Sequence, residues 1–223
     1  MDRNTFKPLW MMGLMTLPGA AIHPAQAAPQ PAIAPAAWEL DFEFADPQRI
    51  DVQLPGQNKA QSFWYMIYKA TNNTGREIQF FPTFELVTAG HRVIPADLAT
   101  HPKVFAQIKG RHRLTHPFLA EPVDALGRLM QGEDNTKASV AIWSAFDAAE
   151  NIDEFDLFIG GLSGEVVKIK NPSFRPEEPE DPKNNPRVFV LRKTLHVPYQ
   201  LPGNVQTQQL ARPLRGERDW VMR

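Results

Sequence analysis

The sequence predicts a mainly β protein, an antiparallel β-sandwich with one short helix. Three observations lead there. Apolar and polar residues alternate over seven to nine short stretches, turn-forming residues separate them, and only one segment carries helical spacing. A chain of 223 residues with 43% hydrophobic side chains supplies the core of one domain, with room for appendages.

The chain opens as an address. Arg3 and Lys7 precede an apolar run over residues 9–22, and Ala25-Gln26-Ala27 fits a small-x-small cleavage pattern. The expectation is a secretory signal over residues 1–27, cut between Ala27 and Ala28. The run is too short for a span of ~20 residues, so contact with a membrane is expected only in passing, through the signal. Residues 28–37, APQPAIAPAA, read as an extended Ala/Pro linker. The expected sandwich covers residues 38–200.

Its first strand lies in WELDFEF, residues 38–44. Trp38, Leu40, Phe42 and Phe44 take one face, while Glu39, Asp41 and Glu43 form a solvated one. Asp46 and Pro47 end it, and residues 49–54 alternate again up to Pro55 and Gly56. FWYMIY, residues 63–68, is apolar at every position, as expected of a strand covered on both sides. Asn72, Asn73 and Gly75 then supply turn chemistry. Residues 76–88 alternate around Ile78, Phe80, Phe84 and Leu86, so the two runs are expected to pair as a hairpin. Pro82 implies an edge position or a bulge. Residues 92–94 form a further short strand.

Pro102 and the spacing of Val104, Phe105 and Ile108 predict a short helix within residues 102–114. Residues 115–136 read as a long connection. Strand character returns at residues 139–146, 155–164, 165–170 and 188–199. Residues 174–187 are proline-rich and charged, giving a linker or projecting loop. Residues 201–223 form a C-terminal tail, either disordered or docked through Trp220. This pattern fits an immunoglobulin-like or fibronectin-like sandwich in the broad sense, without the cysteine pair of antibody domains. A barrel is the alternative.

The segments WYMIYKATNNTG, FFPTFELVTAG, SVAIWSAF and FDLFIGGLSG together resemble a group of uncharacterised exported bacterial proteins with a predicted immunoglobulin-like sandwich. The resemblance spans roughly residues 38–200 and rests on the TNNTG turn and the GLSG strand end. It implies a fold and export, and carries no catalytic residues.

Several chemistries lack support. With no cysteine, disulfides, thiolate metal sites and cysteine nucleophiles are excluded. A formal net charge of −1 gives no broad attraction to nucleic acid. No phosphate-binding glycine loop is present, and Ser163 in GLSG lacks the spacing of a nucleophile elbow. No cofactor is implied. His112 and His116, four apart, are candidate metal ligands that need a third from afar, such as His101 or Glu121. Lys103, Lys109, Arg111, His112 and Arg113 form a basic cluster that reads either as a solvated helix end or as a contact for an anionic envelope glycan or lipid head group. His91 and His196 read as structural. Asn72-Asn73-Thr74 matches a glycosylation sequon but reads as a turn. Trp38, Phe63, Trp64, Tyr65, Tyr68 and Trp143 read as core, whereas Trp220 lies among polar residues. Trp220, Arg111 and Arg113 are the candidate ligand contacts.

The expectation is a non-enzymatic structural or interaction module of a bacterial cell envelope, periplasmic or extracellular, whose partner is an envelope protein or glycan. Two alternatives stand beside it. One is a carbohydrate-binding or accessory module. The other is a metal-dependent hydrolase with a nonlocal site.

Overall fold

The computed structural model describes residues 28–33, 37–146, 152–203 and 211–223. The expected signal segment and Ala27 lie outside the described residues, as do residues 34–36 of the Ala/Pro stretch.

Two antiparallel sheets share one core. The first holds β1 (Asp41–Phe44), β2 (Gln48–Val52), β3 (Gln61–Thr71) and β8 (Lys137–Ser144). β8 runs along one flank of β3, while β1 and β2 follow one another along the other. They act as a single edge strand interrupted at residues 45–47, where Pro47 has no N–H to give the ladder. The second sheet holds β5 (Thr83–Thr88), β6 (Val93–Pro95), β9 (Glu154–Gly160), β10 (Val166–Lys170), β11 (Val188–Gln200), β12 (Leu214–Arg215) and β13 (Asp219–Met222). β11 is its spine. β9 and β10 lie along one flank of β11, β12 and β13 along the other. β4 (Ile78–Phe80) and β7 (Gly127–Leu129) form a separate two-stranded pair. The arrangement is sandwich-like and mainly β, as the alternation predicts.

β3 is the layer between two cores. Trp64, Met66, Tyr68 and Ala70 pack with Phe84, Leu157, Val197 and Tyr199 of the second sheet. Phe63, Tyr65 and Ile67 face the other way, onto Val104, Phe105 and Ile108 of the helix α1 (Pro102–Arg111). A run apolar at every position is thus covered on both faces, and each large side chain so buried contributes about 1.5–3 kcal/mol. The helix starts where sequence predicts, with Pro102 in its first turn and the His101 ring accepting from the Lys103 N–H.

Four expectations need correction. The hairpin between β3 and the 76–88 segment does not form: β4 pairs with β7, and β5 crosses to the second sheet beside β9. Asn72 explains the change. Its amide donates to the carbonyls of Arg76 and Leu129, and its oxygen accepts from Thr74 and Gln131. The TNNTG turn is therefore stapled to the β7 region instead of folding back on β3. Pro82 lies in the gap where the chain changes sheets. Second, residues 115–136 contain β7 and a 3₁₀ turn, Glu133–Asn135. Third, of the two readings of residues 174–187 the linker falls and the loop holds, because both ends belong to the β10–β11 hairpin. The loop ties itself together through buried Asn185, which donates to the carbonyls of Arg175, Glu178 and Pro179. Fourth, Glu39 is not part of a solvated face, because its carboxylate meets the buried ammonium of Lys193 at 2.8 Å. The last segment takes the docked alternative, since β12 and β13 both pair with β11.

The GLSG strand end joins the sheets. Leu40 N–H donates to Leu162 O, and Gly164 N–H donates to Trp38 O, both at 2.9 Å. A methyl group at Gly164 would stand 2.2 Å from Nε1 of Trp38, so only glycine admits that indole.

Candidate functional site

A cleft of about 800 Å³ opens beside the break between β1 and β2. Its walls come from three parts of the chain: residues 45–49 with Asp51, Arg111 at the end of α1, and residues 211–215 leading into β12. Four arginines line it, Arg49, Arg111, Arg212 and Arg215, against Asp46 and Asp51. Two positive charges are in excess here, in a chain whose formal charge is −1.

The local fold dictates this lining. Alternation along β2 sends Ile50 and Val52 into the core beneath α1 and leaves Arg49 and Asp51 on the other face. Asp46 is exposed to the cleft because the strand breaks there. It accepts from Arg215 Nε at 2.6 Å and from the Tyr199 hydroxyl at 3.1 Å, and the Arg215 guanidinium lies 4.4 Å from the Phe44 ring centroid. Arg49 lies 3.5 Å from Asp51 and donates to Ser62 Oγ at 2.6 Å. Both aspartates are thus matched by an arginine.

Arg111 and Arg212 have no carboxylate partner among the described residues. Arg111 is nonetheless held in place. It donates to Arg49 O at 3.1 Å and to the Tyr65 hydroxyl at 3.3 Å, which leaves three of the five guanidinium donors uncommitted. Tyr65 in turn donates to Gln48 Oε1 at 2.9 Å and lies 2.8 Å from His112 Nε2. Burial pushes the Tyr65 hydroxyl pKa up, against the lowering influence of Arg111. Burial, then the neighbouring His116 and Arg111, pull His112 below its usual range, so its ring is neutral at pH 7. One braced guanidinium, Arg111, with Arg212 beside it in a cleft of excess positive charge, suits a carboxylate, phosphate or sulfate group.

The other predicted site residues scatter. Arg113 stays exposed in the turn after α1 and does not line the cleft. His112 and His116 meet edge-on with centroids 5.8 Å apart, but His112 is engaged by Tyr65 and His116 Nδ1 lies 3.0 Å from Thr115 Oγ1. No group of three or more histidines and carboxylates among the described residues is arranged to hold a metal ion. His101 caps the helix. Trp38, Phe63, Trp64, Tyr65, Tyr68 and Trp143 all pack in the two cores. Trp220 is half-buried on β13, with the Lys193 ammonium 4.8 Å from its ring centroid. The amide of Asn72, the sequon residue, is fully buried and committed to carbonyls.

Sequence reasoning missed Asp46, Arg49, Arg212 and Arg215, which no local motif unites. It also missed what His196 does. Its Nδ1 lies 2.7 Å from Asp219 and its Nε2 2.8 Å from Asp156, while its ring stacks on Phe158 at 4.8 Å. Burial works against the cation here, but the bonds and charges of Asp156 and Asp219 outweigh it and raise the pKa. This imidazolium ties β9, β11 and β13 together.

Fold and cleft together define a sandwich-like β protein with a basic surface site. No family model, curated protein or solved structure matches the chain. Of the resemblance carried by the TNNTG and GLSG segments, the sheet-rich fold is what the structure shows.

Proposed function

We propose that this chain is a non-enzymatic, exported interaction module of a bacterial envelope, an immunoglobulin-like scaffold that captures an anionic group of its partner at the arginine cleft. The observation that carries the reading is Arg111. It is braced by Tyr65 and the Arg49 carbonyl, with no carboxylate against it, in a cleft with excess positive charge. A positioned guanidinium with uncommitted donors is a strong, bidentate partner for an oxyanion. The N-terminal signal and Ala/Pro linker support export and a tethered or freely diffusing module outside the cytoplasm.

The test is calorimetric titration of the protein with inorganic pyrophosphate and with a polyuronate. Charge-assisted bonds from two arginines lead us to expect a Kd of about 0.1–1 mM, weakening severalfold between about 50 and 500 mM salt. Arg111→Ala and Arg212→Ala should each weaken it about tenfold. Absence of binding to both anions would remove the cleft from the proposal. Recovery of the native chain with its N-terminus at Ala28, outside the cytoplasm, checks export; an intact chain in the cytoplasm would refute it.

A further inference from the structure

A second concavity lies on the other side of the β1–β2 break. It measures about 890 Å³ and runs between β1, the end of β3, and β13. We infer that this groove is a glycan-binding site, built for a stretch of neutral sugar chain and independent of the arginine cleft.

Aromatic carbon is the first reason. Phe42, Phe118 and Trp220 all line the groove. Phe118 is 90% exposed, a whole phenyl ring in water with the fully buried Leu119 next to it. Neither Phe118 nor Trp220 stacks on another ring among the described residues. Sugar rings present apolar C–H faces to such surfaces, and the exposed aromatic edge of a polar groove is a contact feature more than a packing one.

Trp220 is also preset. Lys193 is buried, with its ammonium 4.8 Å from the indole centroid and 2.8 Å from Glu39 Oε2. One buried cation therefore orients both an aromatic wall and a carboxylate wall of the same groove. Support of that kind from beneath is what holds a binding surface in shape before its ligand arrives.

The state of the carboxylates decides the ligand class. Five line the groove: Glu39, Asp41, Glu43, Glu133 and Asp219. Such a set would ordinarily favour a cation. Here four are already answered, Glu39 by Lys193, Glu43 by Lys69 at 4.0 Å, Asp219 by His196, and Asp41 by the Asn73 amide at 2.6 Å. Arg218 lines the groove as well. A carboxylate that already holds a cation or an N–H donor has lost part of its pull on an ammonium group at a distance. It keeps unused lone pairs in fixed positions, and these accept from hydroxyl groups. Oriented acceptors beside aromatic faces match a polyhydroxylated chain better than a basic peptide.

The test uses tetrasaccharides of β-linked glucose and of β-linked N-acetylglucosamine, titrated into the full protein and followed by calorimetry and tryptophan fluorescence. We expect millimolar or tighter binding to at least one, unchanged within twofold at about 500 mM salt. Phe118→Ala, a surface change that leaves the fold intact, should weaken it at least about fivefold. Trp220→Phe should remove the fluorescence response. Arg111→Ala should leave sugar binding unaltered, which separates this site from the anion cleft. No binding of either tetrasaccharide at 10-fold the expected Kd would overturn the inference. So would salt-sensitive binding of an oligolysine peptide that Phe118→Ala abolishes, because the groove would then be a cationic-peptide site.

Discussion

Replacing Lys193 by methionine removes one charge and almost no volume. The side chain is 4% exposed, with Glu39 Oε2 at 2.8 Å and Glu165 Oε2 at 3.7 Å. At an effective dielectric of about 20, Coulomb's law gives these contacts ~6 and ~4–5 kcal/mol. Dehydrating the ammonium takes back most of that gain, so the intact cluster contributes little net stability. Removing the cation alone is different. Glu165 is then left buried with one oxygen lacking any hydrogen bond and the other accepting only from the Ala32 N–H at 2.8 Å. Breaking a buried pair from one side costs about 3–5 kcal/mol. Loss of the cation over Trp220 adds up to ~1 kcal/mol. For a chain of this size that corresponds to a melting temperature lower by about 6–24 °C. Differential scanning calorimetry at pH 7 measures it. The double variant Lys193→Met/Glu165→Gln should regain at least ~1 kcal/mol over the single, since the orphaned charge is gone. A Lys193→Met protein melting within about 2 °C of the parent would show that water reaches the cluster, and the argument for a preset Trp220 would fail with it.

The His196 clamp gives stability a pH slope. Its folded pKa is raised above the unfolded value of about 6.5, so its contribution is complete below that value and fades as pH rises through the folded pKa. The parent should therefore lose melting temperature between pH 6 and the alkaline side of neutrality, and His196→Gln should lose less. His112 carries the opposite sign: its depressed pKa makes its contribution full above about pH 6.5 and lost as pH falls through the folded value. Two glycine substitutions should also differ in sign. Gly164→Ala drives a methyl group into Trp38 and should cost about 1–3 kcal/mol, whereas Gly110→Ala, in α1 with nothing within 4 Å of the new carbon, should add about 0.5–1 kcal/mol. Chemical denaturation measures both. Asn72→Ala removes a buried amide from the Arg76 and Leu129 carbonyls, of which the first keeps Gln131 and Thr74 as donors, and should cost about 1–3 kcal/mol by the same assay.

Where a residue's fate is set by its immediate neighbours, the sequence was readable. The period-two pattern located β2, β5, β9 and β11, and the doubly apolar run at 63–68 announced a strand with cover on both faces. Pro102 marked the start of α1. Pairing was not readable, because it is decided by residues far away. The Asn72 turn looks like hairpin chemistry from its own residues alone, and only the distant carbonyl of Leu129 and amide of Gln131 turn it elsewhere. Glu39 fails the same way, since its partner Lys193 lies 154 positions on. Arg111 was legible as part of a basic cluster, but its companions Arg49, Arg212 and Arg215 become neighbours only after the sheets have closed.

Both proposed sites arise from one feature of the edge. β1 and β2 would be a single strand but for residues 45–47, and the break divides that margin in two. On the β2 side it exposes Asp46 and lets Arg49, Arg111 and Arg215 converge. On the β1 side the alternation continues, and Glu39, Asp41 and Glu43 line the groove instead. Each half is then completed by the last described segment, residues 211–215 for the cleft and Arg218 to Trp220 for the groove. β12 is exposed, and β13 is half-buried at Trp220, Val221 and Met222. They are held to β11 by the ladder and the His196 clamp, and to β5 by the Arg223–Glu85 ion pair at 2.5 Å. One short terminal segment thus supplies walls to both proposed sites, and the sandwich behind it is their support.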